Sequence, residues 1–359
     1  MIALLYPSRA ASDCHGVPAR RQWRRGARRV VDVITRVDAW YMRKDATMQY
    51  KRLGQSGLKV SAVGLGGNTF GRYVDVPGTA RIVHHALDLG INFFDTADVY
   101  SNGVSEDHLG KALADRRERA LIGSKVAMKM GDGPNDRGLS RGHIIAGVEA
   151  SLRRLGTDYL DLLQVHSWDD EAPIEETMRA LDDLVRAGKV RYLGCSNFAA
   201  WQLTQALWVC DRRGYAPFVS VQPRYSLLDR AIEAELVPAC RTFGVGVIPY
   251  SPLAGGILTG KYRGGARPEG SRGADQEGAG FFARQLAGKD EASVERLAGW
   301  AEARGKTIGE LAIAWLTSQP EVSTVIAGVT APEQMAANVR AAEWSLTADE
   351  IKEVGALVG

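Results

Sequence analysis

Four residues with acid–base chemistry stand where short apolar segments of this 359-residue chain end. Asp95 and Tyr100 lie in GINFFDTADVY. Lys125 is the next-to-last residue of ALIGSKV, and His166 is the last residue of YLDLLQVH. A carboxylate, a phenol, an ammonium and an imidazole are the groups that carry general acid–base catalysis. Each has a plain structural explanation: a capped turn for Asp95, a solvated strand end for Lys125, a hydrogen-bonded core position for His166. Together, at the ends of successive segments, they predict a proton-transfer site.

The segments that carry these residues alternate with amphipathic helical stretches, which is the pattern of repeated βα units around a parallel sheet. The predicted strands are residues 60–67, 92–97, 120–126, 159–167, 190–196, 219–222, 245–250 and 324–328. Helical spacing of apolar residues is clear in residues 79–89, 143–155, 174–187, 201–212 and 308–317. Eight units favour a closed (β/α)8 TIM barrel, because a doubly wound sheet usually carries about five or six strands.

Two further segments complete the predicted barrel. The sequence YKRLGQSGLKVSAVG indicates a β-hairpin that precedes the first barrel strand and closes the bottom of the barrel. Residues 253–288 are rich in Gly, Arg and Ala with little periodicity, which predicts a long loop after the seventh strand. Active sites of such barrels lie at the carboxyl ends of the strands, so the four ionisable side chains are expected to meet at that face.

Charge and cysteine content exclude several classes of function. The net charge is +3, but residues 1–47 hold ten of the 45 basic and four of the 42 acidic residues, which leaves 35 basic and 38 acidic residues, or −3, for the rest. This balance gives no electrostatic basis for nucleic-acid binding. The four cysteines form no CxxC pair and no Cys/His spacing suited to zinc, so neither a disulfide framework nor a metal site is predicted. No apolar run reaches the roughly 20 residues of a membrane span, and a cytoplasmic location is expected.

Residues 1–47 are predicted to be a disordered basic extension of a barrel that occupies residues 48–359. The extension contains RRQWRRGARR at positions 20–29 and no sustained apolar period. A twin-arginine export signal is the functional alternative, but the following segment is interrupted by Asp32, Arg36 and Asp38. The interpretation we favour is a start codon assigned too early, with Met48 as the true start.

Five segments resemble the signature segments of the aldo-keto reductases, namely GINFFDTADVY, LLQVHSWD, GKVRYLGCSNF, SVQPRYSLL and PYSPLAGGILTGKY. They occur in that family's order, and the resemblance runs from Met48 to the C terminus, towards bacterial members related to channel β-subunits. It implies a barrel that reduces carbonyl compounds by hydride transfer from a nicotinamide cofactor. It also implies that Asp95, Tyr100, Lys125 and His166 are the catalytic tetrad. In that scheme Tyr100 gives the proton, Lys125 lowers its pKa, Asp95 holds the lysine, and His166 orients the carbonyl oxygen or relays the proton.

The same resemblance implies a set of cofactor contacts. The implied nicotinamide contacts are Ser196, Asn197 and Gln222, with Tyr250 stacked on the ring. The implied phosphate and adenosine contacts are Ser251, Leu253, Gly255, Lys261, Gly328, Thr330, Gln334 and Asn338. The chain departs from the family at Ala327, usually proline, and at Ala337, often glutamate. NADP(H) is the family's usual cofactor, but no cationic residue lies nearer to Thr330 than Arg340, so NAD(H) stays open.

Substrate and class of function are less constrained. Phe70, Trp168 and Tyr225, with residues 253–288, are predicted to line a pocket for a small carbonyl substrate, and their aromatic character favours apolar aldehydes. One alternative is a nicotinamide-binding regulatory protein like the channel β-subunits. Another is an aldolase or isomerase with Lys125 as a Schiff-base nucleophile, which would leave Tyr100 and Tyr250 without a role. The sequence does not indicate an oligomeric state.

Overall fold

The fold was analysed in a computed structural model, which describes residues 48–269 and 291–358. The predicted extension, residues 1–47, lies outside the described residues, and so do residues 270–288 of the predicted loop. In the described part of the chain no helix is both long enough and apolar enough to cross a membrane.

Eight parallel strands confirm the predicted (β/α)8 barrel. They follow a hairpin of two strands. The strands are β1 (Tyr50–Arg52), β2 (Lys59–Ser61), β3 (Val63–Gly66), β4 (Phe93–Asp95), β5 (Leu121–Val126), β6 (Leu160–Val165), β7 (Val190–Ser196), β8 (Phe218–Gln222), β9 (Gly246–Val247) and β10 (Val325–Gly328). The barrel strands are paired in the order β10-β3-β4-β5-β6-β7-β8-β9. Main-chain hydrogen bonds from Ser323 to Val247 and from Ile326 to Pro249 join the segments of β9 and β10 and close the cylinder.

Helices of the described residues surround this cylinder and bury one face against it. Their bounds are α1 (Val76–Asp88), α2 (Val104–Leu113), α3 (Arg141–Leu155), α4 (Ile174–Arg186), α5 (Ala200–Arg213), α6 (Leu236–Phe243), α7 (Glu291–Glu302), α8 (Ile308–Thr317), α9 (Pro332–Ala342) and α10 (Ala348–Ala356). The predicted stretch 308–317 coincides with α8. The first helix begins three residues before the predicted position 79, because the Asp75 side chain accepts a hydrogen bond from the Gly78 amide and caps it.

Several predicted boundaries are corrected by the hydrogen bonding. The predicted strand 60–67 is two strands, since β2 pairs antiparallel with β1 as the hairpin and β3 belongs to the barrel. The predicted seventh strand, 245–250, is reduced to two residues plus an isolated bridge at Tyr250. The described part of the predicted loop contains two short 3-10 helices, Ala254–Thr259 and Arg263–Gly265. Glycine-rich segments form such local turns readily. Each of these helices contains too few residues to show a repeating apolar pattern, so the sequence did not predict them.

Alternation of side chains along the strands divides the barrel interior into layers. On β4, Phe94 packs outward into the large cluster beneath the helices, whereas Phe93 packs inward. The inward cluster is Leu53, Val60, Phe93, Leu162, Ile248 and Ile326. Two of these come from the hairpin, which therefore fills the bottom of the barrel. Because successive residues of a strand point to opposite sides, the next inward positions after Phe93 and Leu162 are Asp95 and Gln164. The upper layer of the interior is therefore polar.

Candidate active site

Lys125 joins three of the predicted catalytic residues into one buried unit. Its ammonium Nζ donates to Oδ2 of Asp95 at 2.6 Å, to the main-chain oxygen of Thr96 at 2.8 Å, and to the Tyr100 hydroxyl at 3.4 Å. The lysine side chain is fully buried and that of Asp95 is 3% exposed. An ammonium has three N–H donors, so all three are engaged. The strand-end explanation of Lys125 as a solvated residue is thereby excluded.

The pKa of Tyr100 differs from the expectation that the adjacent Lys125 lowers it. Burial raises the pKa of Tyr100, and this outweighs the opposing effect of the Lys125 ammonium. For Lys125, burial lowers the pKa, but the charges and hydrogen bonds of Asp95 and Tyr100 outweigh it, and the pKa lies above its ordinary value. The phenol is therefore protonated, and the ammonium charged, at neutral pH. Sequence reasoning identified the partner but not the burial, which is the larger effect.

A strained turn presents Tyr100 to the cavity. The residue begins the 3-10 turn Tyr100–Gly103, in which Ser101 and Asn102 have φ values of 49° and 52°. Non-glycine residues in this left-handed region are uncommon and cluster at functional sites. The Ser101 hydroxyl donates to the main-chain oxygen of Phe70 at 3.0 Å, which ties the turn to the loop after β3.

His166 lies edge-on to the tyrosine ring, with 5.9 Å between the ring centroids and 79° between the planes. Burial lowers the pKa of His166 to about 3, and the nearby Lys125 charge adds to the effect. The ring is therefore neutral at physiological pH and offers a single N–H to a ligand. Its main-chain oxygen accepts a hydrogen bond from Nδ2 of Asn197 at 3.0 Å, which connects it to the end of β7.

A cavity of about 820 Å³ opens above this unit, and all twelve predicted cofactor contacts lie on its wall. The predicted residues on its wall are Asp95, Tyr100, His166, Ser196, Asn197, Gln222, Tyr250, Ser251, Leu253, Gly255, Lys261, Gly328, Thr330, Gln334 and Asn338. The two departures from the family, Ala327 and Ala337, also lie there. Lys125 lies behind the wall rather than on it. Fifteen predicted side chains or main-chain segments from six strand ends thus share one cavity.

Hydrogen bonds already order the part of the wall nearest to His166. The Tyr250 hydroxyl donates to Oδ1 of Asn197 at 2.9 Å, and the Ser196 hydroxyl donates to the main-chain oxygen of Gln222 at 2.8 Å. Asn197 and Ser251 have φ values of 57° and 56°. Such strained residues after β7 and β9 hold the wall in a fixed shape.

The phosphate-binding prediction falls on a segment with the right backbone freedom. Gly255 and Gly256 have φ values of 69° and 105° and lie on the cavity wall beside Ser251. Successive amides in this kind of turn form a concave anion site. At the far end of the cavity, Oε1 of Gln334 accepts from the Thr330 amide at 2.9 Å and from the Thr330 hydroxyl at 3.5 Å, which ties the segment before α9 to the first turn of that helix.

The three aromatic side chains predicted to line the substrate pocket do not lie on the cavity wall, whereas Leu253, Gly255 and Lys261 of the predicted loop do. Phe70 and Tyr225 are 1% and 3% exposed and belong to the large core cluster between barrel and helices. The Tyr225 hydroxyl donates to Glu233 at 2.8 Å, and its ring packs edge-on against Trp315. Trp168 is half-buried and packs against Phe198 and Trp201 rather than lining the cavity. An aromatic residue close to a strand end satisfies core packing as well as a pocket, and sequence spacing does not separate the two.

Residues that sequence reasoning missed also contribute to the site. Asn68, Tyr73 and Glu310 lie on the cavity wall. Gln164 is fully buried in the polar layer beside Asp95. Its position was readable from the sequence, because it lies two residues before His166 and strands alternate with a period of two.

Asp98 is the least satisfied ionisable group near the site. It is 1% exposed, and neither carboxyl oxygen has a hydrogen-bonding partner among the described residues. Burial, together with the nearby Glu106 carboxylate, raises its pKa to about 7, against the opposing effects of the Val99 amide, Arg154 and Lys125. Its own amide donates to the main-chain oxygen of Lys125 at 3.3 Å. A carboxyl of this kind destabilises the fold when it ionises.

We predict that Asp98→Asn stabilises the protein increasingly as the pH rises. Between its ordinary pKa of 3.8 and about 7, the native state holds a proton that the unfolded chain has lost, so the stability of the wild type falls across this window. The slope is about 1.4 kcal/mol per pH unit for one such group, and asparagine lacks it. Urea unfolding near pH 5 and near pH 8 measures the difference. An equal effect at both pH values would contradict the prediction, and Asp107→Asn, an exposed residue of α2, is the control.

The chain is similar in sequence to several known proteins. The family model described as the aldo/keto reductase family matches residues 62–358. A probable voltage-gated potassium channel subunit beta of Arabidopsis thaliana is 42% identical over 82% of this chain and 92% of its own length. An uncharacterised oxidoreductase of Bacillus subtilis is 38% identical over 83% of this chain and 92% of its own length. A versiconal hemiacetal acetate reductase of Aspergillus parasiticus is 36% identical over 85% and 95%.

Proposed function

Because this chain belongs to the aldo/keto reductase family, we propose that it reduces aldehydes or ketones to alcohols by hydride transfer from NADPH, with Tyr100 as the general acid. The observation that carries the proposal is the Tyr100 hydroxyl on the cavity wall, held from behind by the buried Lys125–Asp95 pair. A carbonyl that receives a hydride becomes an alkoxide and needs one proton. The protonated phenol of Tyr100 is positioned to give it.

The nicotinamide cofactor would supply the hydride when bound, and the residues present fit such a group. Gln222 and Asn197 place amide groups on the wall next to Tyr250, whose ring could stack on a planar heterocycle. The glycine turn at 255–256 supports binding of a pyrophosphate through main-chain amides. Thr330 before α9, and Gln334 and Asn338 on that helix, would hold the adenosine end, where the helix N terminus favours phosphate.

Each remaining residue has a defined part in the proton transfer. After giving its proton to the carbonyl oxygen, Tyr100 is a phenolate, which the adjacent Lys125 ammonium stabilises until solvent returns the proton. Asp95 holds the ammonium in place. Neutral His166 donates an N–H to the carbonyl oxygen and orients it, and its low pKa argues against a role as a proton relay.

Lys125 does not support the aldolase or isomerase alternative. A Schiff-base lysine must present an uncharged amine to a substrate carbonyl. Here Nζ lies behind the cavity wall, its three donors are engaged, and its pKa is raised rather than lowered.

NADP(H) is the proposed cofactor, with NAD(H) as the competitor in the test. Lys261 is the cationic side chain on the described part of the cavity wall and would favour an additional phosphate. Arg340 is exposed on α9 and does not line the cavity.

We place the activity in the cytoplasm, because the buried thiols of Cys195, Cys210 and Cys240 are free, as in a reducing compartment.

A nicotinamide-binding regulatory protein with little turnover is the second candidate. It is favoured by relatives named as channel β-subunits in Arabidopsis and rice, which are 42% and 39% identical to this chain. A cavity with the same cofactor contacts would serve either function, so the two differ in turnover rather than in binding.

The deciding experiment mixes the protein with NADPH or NADH and a panel of simple and aromatic aldehydes, and follows absorbance of the reduced nicotinamide. We expect multiple turnovers with NADPH and slower consumption of NADH. Tight binding of NADPH in a fluorescence titration without consumption would support the regulatory function. Absence of both binding and consumption would contradict the proposal.

A further inference from the structure

Gln164 occupies the centre of the polar layer without contributing to the proposed chemistry. It lies on β6 with no exposed surface. Its Nε2 donates to Oδ1 of Asp95 at 3.1 Å. Nε2 of Gln222 donates to the same oxygen at 2.8 Å and lies 3.4 Å from Oε1 of Gln164. The three side chains therefore form a closed triangle of hydrogen bonds.

The chemistry of this triangle fixes which way both amides face. An ionised carboxylate only accepts hydrogen bonds, and its other oxygen, Oδ2, is taken by Lys125. Both glutamines must therefore turn their NH2 groups towards Asp95. Because the Gln164 oxygen also receives the Gln222 NH2 group, a flip of Gln222 would set its oxygen against both the Gln164 oxygen and the Asp95 carboxylate.

Packing holds the Gln164 side chain in this position. Gly194 lies beside it on β7, where a Cβ atom would come within 3.2 Å of Cγ of Gln164 and 2.6 Å of the Ser220 hydroxyl. The absence of a side chain at this glycine leaves the space that the glutamine fills. The orientation of Gln222 on β8 is thus determined by Asp95 on β4 and Gln164 on β6.

We propose that Gln164 is a positioning residue that holds the Gln222 amide with its NH2 group on Asp95 and its oxygen towards the cavity. The site then selects a ring substituent that donates a hydrogen bond, as the carboxamide of nicotinamide does. This inference rests on the proposed cofactor binding. It links the acid–base unit to recognition of the cofactor, because Asp95 anchors both Lys125 and Gln222.

The test compares binding of NADP with binding of its acetylpyridine analogue, in which a methyl group replaces the NH2 of the carboxamide. We expect the wild type to bind NADP roughly five- to ten-fold more tightly than the analogue, the value of one hydrogen bond. In Gln164→Met, which keeps side-chain length and removes both hydrogen-bonding groups, this ratio should fall to about two or less. Gln164→Asn, which retracts the amide by one methylene, serves the same purpose if the methionine variant does not fold.

Controls separate positioning from a general loosening of the barrel. Thr324→Val removes a buried hydroxyl that has no hydrogen-bonding partner among the described residues and lies inside the barrel next to Gly64, and it should leave the ratio unchanged. In a Gln222→Met background, Gln164→Met should change the ratio no further, because the two act through one group.

The outcomes distinguish this inference from the proposed function. A folded Gln164→Met protein that keeps the wild-type ratio would overturn the positioning role, and so would an equal loss in Thr324→Val. If the wild type binds neither dinucleotide, the proposed function itself fails, whatever the variants do.

Discussion

Replacement of Tyr100 by phenylalanine is expected to lower kcat for aldehyde reduction by about 10³-fold or more while the dissociation constant for NADPH changes less than about two-fold. The substitution removes one hydroxyl from the cavity wall and keeps the ring against His166. General acid catalysis contributes roughly 10²- to 10⁴-fold. The expected loss lies in the upper part of that range, because the same hydroxyl is also the link to Lys125. Steady-state kinetics and fluorescence titration of the same preparation measure both quantities.

A matched Tyr→Phe substitution outside the cavity completes this test. Tyr225→Phe removes a hydroxyl that is bonded to Glu233 in the core. It should leave kcat and KM for the aldehyde within about two-fold of the wild type, since Tyr225 does not line the cavity. Retention of full activity in Tyr100→Phe would refute the proton-donor role. A large change of KM in Tyr225→Phe would instead restore the sequence-based prediction that this residue forms part of the substrate pocket.

Sequence patterning predicted the barrel because apolar residues recur at every second position in strands and at every third or fourth position in helices. The same patterning located Asp95, Lys125 and His166, since an ionisable group at the end of an apolar run is unusual. Burial is a property of the assembled fold and was not predictable. It explains why the pKa of Tyr100 is raised although Lys125 is adjacent, and why Asp98 is an unpaired acid.

Aromatic residues give a second example in which burial was not predictable from the sequence. Phe70 and Tyr225 follow strand ends as Tyr100 and Tyr250 do, yet the first pair packs in the core and the second faces the cavity. Left-handed backbone does not separate the two pairs, because such a residue follows Tyr100 and Tyr250 but also follows Phe70, at Gly71. Gln164 was predictable from alternation, but its bonds to Asp95 and Gln222 join strands that are distant in sequence.

Lys125→Met is expected to destabilise the protein by about 3–5 kcal/mol as well as to abolish most activity. Removal of the ammonium leaves the Asp95 carboxylate buried with the amides of Gln164 and Gln222 as its side-chain partners in the described part of the chain, and a buried charge without its counterion is costly. The pKa of Tyr100 should rise further without the cation, so kcat falls as well. Urea unfolding monitored by circular dichroism gives the free energy, and the aldehyde assay gives kcat.

The double variant Asp95→Asn/Lys125→Met separates the two effects. A neutral asparagine removes the uncompensated charge, so the double variant should recover most of the lost stability while activity stays low. If Lys125→Met alone were as stable as the wild type, the buried pair would not be the electrostatic centre of this barrel end. If the double variant regained activity, the lysine would have no part in proton transfer. The expected result is stability restored without turnover. It would mean that the buried ammonium serves the chemistry of Tyr100, because a neutral pair at the same positions stabilises the barrel equally well.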